Sequence, residues 1–384
     1  MTRATAEGPE DKFVPEFCAT IEDVDEYPGG DEYVTPCTCG CTRSWYADAE
    51  FLLAWRRGRN VPSLVTTSPA GTPAGNAGVL PGATPLFGGG SVGQDVRSGG
   101  RVTVGKWLDA CKTNGVEGRF WMLGANDIDF ATDSSTYPIL ARPYFDAVSQ
   151  TNEAILLAYP GFTGPGNVRI SGHSEVLGSD FLYRTLAAET CRMRLDLLAG
   201  YQYSRINEDI NINSMTTAIN VPVLDAGTTF TSVESFRTSN DFHGGQIGLS
   251  VNYFAGCDWQ VDVLAKVAFG NMRQVADIAG QATIVTPPPG STTNATPGPL
   301  AGPANSGRFT RNRFAVAPEV GVKLRRQVSE CLDLSFGYSY QYWSDVIQPG
   351  DQIDFLLRDP TPAFQFRSGS YWVQSLTFGA TVLF

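Results

Sequence analysis

The sequence predicts an all-β fold: an antiparallel up-and-down transmembrane β-barrel of about ten strands, with short periplasmic turns and long extracellular loops, and twelve strands as the alternative count. Three observations lead there. Apolar residues recur at every second position in ten separate segments, the period of a strand with two unlike faces. The connections between these segments alternate short and long. No run of 18 apolar residues occurs, which excludes a membrane-crossing helix, whereas a crossing strand needs only about 9–11 residues.

The first segment, 44–55, sets Trp45, Ala47, Ala49, Phe51, Leu53 and Trp55 against Tyr46, Asp48 and Glu50. Weaker alternation follows at 100–109, 115–124 and 175–186. At 192–204, Met193, Leu195, Leu197, Ala199, Tyr201 and Tyr203 share one face. The segment 243–254 carries Ile247, Leu249, Val251 and Tyr253, and the next one Trp259, Val261, Val263, Ala265, Val267 and Phe269. Segments 313–325 and 331–343 repeat the pattern. The last segment sets Leu376, Phe378, Ala380, Val382 and Phe384 against Ser375, Thr377, Gly379 and Thr381.

Four connections are short, near 110–114, 187–191, 255–257 and 326–330. Five are long: 56–99, 125–174, 205–242, 271–312 and 344–370, holding 201 of the 384 residues. A soluble β-sandwich has the same strand period. The membrane barrel is favoured by aromatic residues at the ends of the apolar stripes, such as Trp45 and Trp259, where a bilayer interface places amphipathic rings. Loops far beyond ordinary hairpin length favour it too. Within 125–174, "ILARPYF" and "AILLAYP" are apolar enough for an extra hairpin. Its entry into the bilayer would give the count of twelve.

Net charge is −11, but residues 1–36 hold ten acidic and two basic residues, which leaves −3 for the rest. The acidity belongs to an N-terminal tail, and it argues against nucleic acid as a partner. Residues 1–43 read as a disordered acidic periplasmic tail with a cysteine cluster, and 44–384 as the barrel. The start "MTRATAEGPEDKF" lacks the basic and apolar regions of a secretory signal.

Several segments resemble a known family. "SWYADAEFLLAWRRGRNVPSLVTTSP", "LFGGGSVGQDVRSGGRVTVGKWLD", "GVEGRFWMLG", "ILARPYFD", "NRFAVAPEVGVKL" and "YWSDVIQPGDQID" are similar to the putative beta-barrel porin-7 family of bacterial outer-membrane proteins, over Ser44 to Phe384. The resemblance implies an outer-membrane barrel in contact with outer-membrane lipid. In outer-membrane barrels generally, a terminal Phe such as Phe384 is presented to the barrel assembly machinery.

Charges on the polar faces are the first candidate site. Asp48, Glu50, Glu117, Asp180, Asp196, Asp262, Glu319 and Asp333 oppose Arg101, Arg119, Arg184, Arg192, Arg194, Lys266, Lys323 and Arg325, eight of each sign. Isolated charges in a narrow barrel are costly, so the balance predicts pairing across the lumen. Ten strands lie near the size that side chains fill. A salt-bridged plug and a channel for small solutes with mixed-charge constrictions are both open.

Cysteines are the second candidate. Cys111, Cys191, Cys257 and Cys331 fall in or beside the short turns, and Cys37, Cys39 and Cys41 precede the first strand. In an oxidising compartment, disulfides from the cluster to the turns are expected; a metal site is the rival, though the spacing lacks a standard finger pattern. His173 and His243 are the sole histidines, with Asp241 close to His243. No second organised carboxylate pair accompanies them, so no enzyme is expected. No cofactor is expected, and no metal site beyond that rival reading of the cysteine cluster. Two roles compete: a porin-like channel for passive diffusion of small solutes or ions, and a closed structural or surface-binding barrel acting through its loops.

Overall fold

The computed structural model describes residues 44–384 apart from 223, 257, 289–292 and 358–363. Ten strands form a ring. They are β1 (Trp45–Arg56), β2 (Arg97–Trp107), β3 (Asn114–Leu123), β4 (Asn167–Thr190), β5 (Met193–Thr217), β6 (Thr229–Phe254), β7 (Trp259–Val285), β8 (Gly307–Ser329), β9 (Leu332–Val346) and β10 (Gly369–Leu383). Each pairs antiparallel with the next. β10 closes on β1, in register from Tyr46 opposite Leu383 to Arg56 opposite Val373. Closure leaves the turn-end part of the ring no free edge, whereas the loop-end half of β8, residues 307–318, pairs only with β7 among the described residues. No helix among the described residues is long and apolar enough to cross a membrane.

The segment 125–174 is not simply a polar surface loop, the preferred reading from sequence: the alternative hairpin forms, as Leu140–Asp146 paired with Thr151–Ala158. It adds no strands to the barrel. It belongs to a separate sheet with Val65–Thr67, Thr84–Phe87 and Leu356–Leu357. Thr216 on β5 donates to the Leu157 carbonyl at 2.6 Å, and Thr216 faces inward among buried residues. The sheet therefore fills the barrel at its loop end. The hairpin turns inward because its apolar faces pack against Ile170, Ile210, Ile212 and Phe236 of the inner wall.

The long connections need correction. A span takes about 9–11 residues, yet β5 has 25 and β7 has 27. Much of 205–242 and 271–312 is not loop but strand continuing past the membrane. The outward face of β5 marks the boundary. Leu197 and Tyr201 are exposed, and beyond Tyr203 the same face carries Arg205, Asn207, Asp209, Asn211 and Asn213. β7 changes likewise from Phe269 to Asn271, Arg273 and Asp277. The ring thus has an apolar band at the turn end and a polar-surfaced extension at the loop end. Two further strands flank the extension: Ile128–Asp133 pairs with β4 and Thr293–Pro297 with β7.

Candidate functional site in the barrel interior

Strand alternation sends every second side chain of the ring inward, and the inward side chains stack in layers. In the band the first layer is charged. Arg119 on β3 donates through Nη1 to Glu319 Oε1 on β8 at 2.5 Å and through Nε to Asp180 Oδ2 on β4 at 2.6 Å. Lys266 on β7 lies 3.2 Å from both Asp180 Oδ1 and Glu319 Oε2. These four side chains are at most 5% exposed. Lys323 Nζ bridges Asp48 and Glu50 at 3.0 Å each, and Arg101 reaches Glu50 at 3.4 Å. Nearer the turns, Arg184 contacts Asp196 at 3.2 Å and Glu117 at 3.6 Å, and Arg325 contacts Asp262 at 2.8 Å and Asp333 at 3.6 Å. Arg194 pairs with Asp196 at 2.9 Å. Each of these charges meets an opposite one, the condition under which it can stay ionised away from water.

The second layer is apolar. Leu52, Trp121, Ile206, Phe242, Met272, Trp343 and Tyr371 are buried together. The Trp121 and Trp343 rings stand 6.1 Å apart, and Trp343 Nε1 donates to Ser204 at 2.8 Å.

Above it lies a second ionic layer, centred on Glu208 of β5. Arg56 Nη1 is 2.6 Å and Arg59 Nε 3.5 Å from Glu208 Oε1, with all three side chains fully buried. Gln348 and Ser174 also donate to Glu208, at 3.2 and 3.1 Å. Arg59 fits because β4 has a glycine beside it; a Cβ at Gly172 would fall 2.7 Å from Arg59 Nη1. The inner sheet closes the stack. From it, Arg142 forms a buried ion pair with Glu234 of β6.

A family model described as Putative beta barrel porin-7 matches residues 46–384. The chain belongs to this family. A comparison with curated proteins finds no match. Among solved structures, the chain is similar to the outer membrane protease OmpT from Escherichia coli at 11% identity and a TM-score of 0.41, over 89% of this chain and 97% of that one. It is similar to the Pseudomonas putida toluene transporter TodX at 7% identity and a TM-score of 0.27, over 91% and 93%. A Pseudomonas aeruginosa FadL homologue gives 8% identity and a TM-score of 0.24, over 89% and 90%. At these values the activities of those proteins carry nothing over to this porin-7 family member.

Of the charges singled out from the sequence, Arg192 is misplaced. It sits exposed in the two-residue turn between β4 and β5, because β5 begins only at Met193. The others lie in the contacts given above. Arg56, Arg59, Glu208, Arg142 and Glu234 were missed, since all fell in segments read as loops. Their signal was present: "RINEDININS" alternates as strictly as the band segments.

Cys191 is an exposed thiol, so the staple expected at that turn does not form there. Cys37, Cys39, Cys41 and Cys257 lie outside the described residues, as does the tail 1–43. At the closing seam, Phe384 N donates to the Trp45 carbonyl at 2.9 Å and Trp45 N to the Phe384 carbonyl at 3.0 Å. Phe384 is exposed, a ring available to lipid or to another protein. His243 contacts the Tyr201 hydroxyl at 2.5 Å and His173 contacts Asp127 at 2.7 Å. His243 thus sits with tyrosines at the outer edge of the band.

Proposed function

We propose that this chain is a non-enzymatic barrel of the bacterial outer membrane whose lumen is closed to solutes at rest and whose working end is the extracellular extension. One observation carries the reading: a charged layer, an apolar layer and a second charged layer succeed one another across the lumen, and the Arg119–Asp180–Glu319–Lys266 cluster in the first is almost wholly buried. An aqueous channel needs side chains that water reaches. The packed side chains of Trp121, Trp343 and Met272 offer water or ions few polar partners. The partners of this reading are outer-membrane lipid along the band and the barrel assembly machinery at the C-terminal strand ending in Phe384.

The rival reading is a porin-like channel for passive diffusion, which the family description favours. Planar-bilayer recording in salt separates the two. We expect no discrete current steps from inserted protein, with insertion confirmed independently. Reproducible steps in the unmodified protein, with selectivity altered by Glu319→Gln, would sink the closed reading in favour of the channel.

A further inference from the structure

The extension holds a cavity of about 400 Å³ between the inner hairpin and the β5–β6 wall, near the lower end of ligand-sized pockets. Its walls include Leu156, Phe162, Val221, Leu224 and Phe230. Arg142, Ser214 and Ser232 also line it. Leu224, one of these wall residues, is exposed.

The polar residues are organised. Ser214 and Ser232 face each other across β5 and β6. Arg142, 3% exposed, donates Nη1 to both hydroxyl oxygens, at 3.3 and 3.5 Å. Its Nη2 pairs with Glu234. The other carboxylate oxygen of Glu234 is held by the backbone N–H groups of Leu300 and Ala301. The charges therefore cancel within the protein. Donors remain unused. Arg142 Nε is buried and has no hydrogen-bond partner. Each serine that accepts from the guanidinium keeps its own proton to donate. Buried donors without acceptors are costly and uncommon in folded proteins.

We propose that this cavity binds one small, mostly apolar, uncharged molecule through a single oxygen acceptor of the ketone, ester or alcohol class. The apolar walls take the hydrocarbon part, and the Arg142–Ser214–Ser232 group takes the oxygen. A carboxylate fits less well, because Glu234 already neutralises Arg142 and a second buried anion would lack a counter-ion. The proposal rests on the reading that the extension is the working end, but not on a closed lumen.

The test uses the full chain in phospholipid nanodiscs and equilibrium dialysis against empty nanodiscs. The probes are decan-2-one, decane and decanoate. We expect saturable binding of decan-2-one at one per chain, with decane and decanoate at least tenfold weaker. Val221→Trp, a loop change that fills the cavity, should weaken decan-2-one at least tenfold. Ser232→Ala should weaken it severalfold and leave decane unchanged. Circular dichroism checks that both variants fold. Equal binding of decane, tighter binding of decanoate, undiminished binding by the filled variant or no saturable binding would each overturn the proposal. Saturable binding by a protein that also conducts in planar bilayers would remove the closed-lumen reading and leave this one standing.

Discussion

The band and the extension are made from the same strands with opposite faces apolar. On β5 the band places Leu195, Leu197 and Tyr201 outward and Asp196, Gln202 and Ser204 inward. About 30 Å further along the strand between the centres of the two sets, at about 3.3 Å per residue, Ile206, Ile210 and Ile212 are buried inside and Asn207, Asp209 and Asn211 face out. β7 makes the same exchange between Phe269, which faces out, and Met272, Ala276 and Ile278, which are buried. The backbone is continuous; the solvent outside changes. Lipid accepts apolar side chains and excludes unpaired charge, so band polarity is confined to the lumen. Water outside the extension lets the ordinary arrangement return, with an apolar core around the inner sheet. A barrel wall carries no fixed inside or outside polarity of its own.

Four experiments would break or sharpen this contrast. The largest effect is expected at Glu208, where the two regions meet. Glu208→Gln leaves the fully buried Arg56 and Arg59 without their counter-charge. We expect a loss of about 3–5 kcal/mol, the range for breaking a buried pair by removing one partner. Denaturant unfolding in detergent micelles would measure it; a loss under about 1 kcal/mol would mean that water reaches this layer.

The second experiment puts one change on both sides of the boundary. Leu249 and Val233 both face out from β6, one in the band and one in the extension. Leu249→Arg should cost about 2–4 kcal/mol in lipid, as for a charge on the lipid face near the midplane. Val233→Arg should stay within about 0.5 kcal/mol of the parent, as exposed changes do. Equal costs in lipid vesicles would place the boundary elsewhere.

A smaller effect concerns Asp351, in the connection between β9 and β10. Burial raises its carboxyl above the ordinary range, partly offset by a hydrogen bond with Asn60 and by the Arg57 charge. A raised folded-state value favours the fold below the unfolded value of about 3.9 and withdraws that support as pH rises through the folded value. Asp351→Asn should therefore gain stability at pH 7, and the gain should vanish at pH 3. A gain that persists unchanged at pH 3 would assign the effect to packing instead. The smallest expectation is at the turns. Cys191, exposed and not disulfide-bonded, should take a maleimide without reductant, and mass spectrometry reads the adduct; no adduct would mean that the turn is covered.

The band was legible because lipid imposes one rule on every strand. Leu197, Leu249, Phe336 and Phe378 are exposed on the ring at the spacing their alternation gave. The extension was not, although "RINEDININS" alternates cleanly. Its apolar set sits at even positions after an odd-numbered run from Met193 to Tyr203, so a continuous strand looks like a strand followed by polar loop. The candidate charges followed the same division. Asp180, Glu319 and Lys266 were found from the band parity, whereas Glu208 and Glu234 lay beyond the exchange of faces and went unseen.

By itself the sequence determined the period, a count of about ten strands with twelve left open, the lipid faces of the band and most of its opposed charges, Arg192 excepted. These follow from local alternation, which needs only a strand and a rule about what lies outside it. Tertiary structure alone decided which charges meet. Arg119 and Glu319 are 200 residues apart in sequence, and their contact depends on closure of β10 onto β1 and on the stagger of strands around the ring. It also decided that the Leu140–Asp146 hairpin turns into the barrel instead of joining its wall. An apolar hairpin of that length can pack against lipid or against a core, and only the apolar interior of the extension chooses between them.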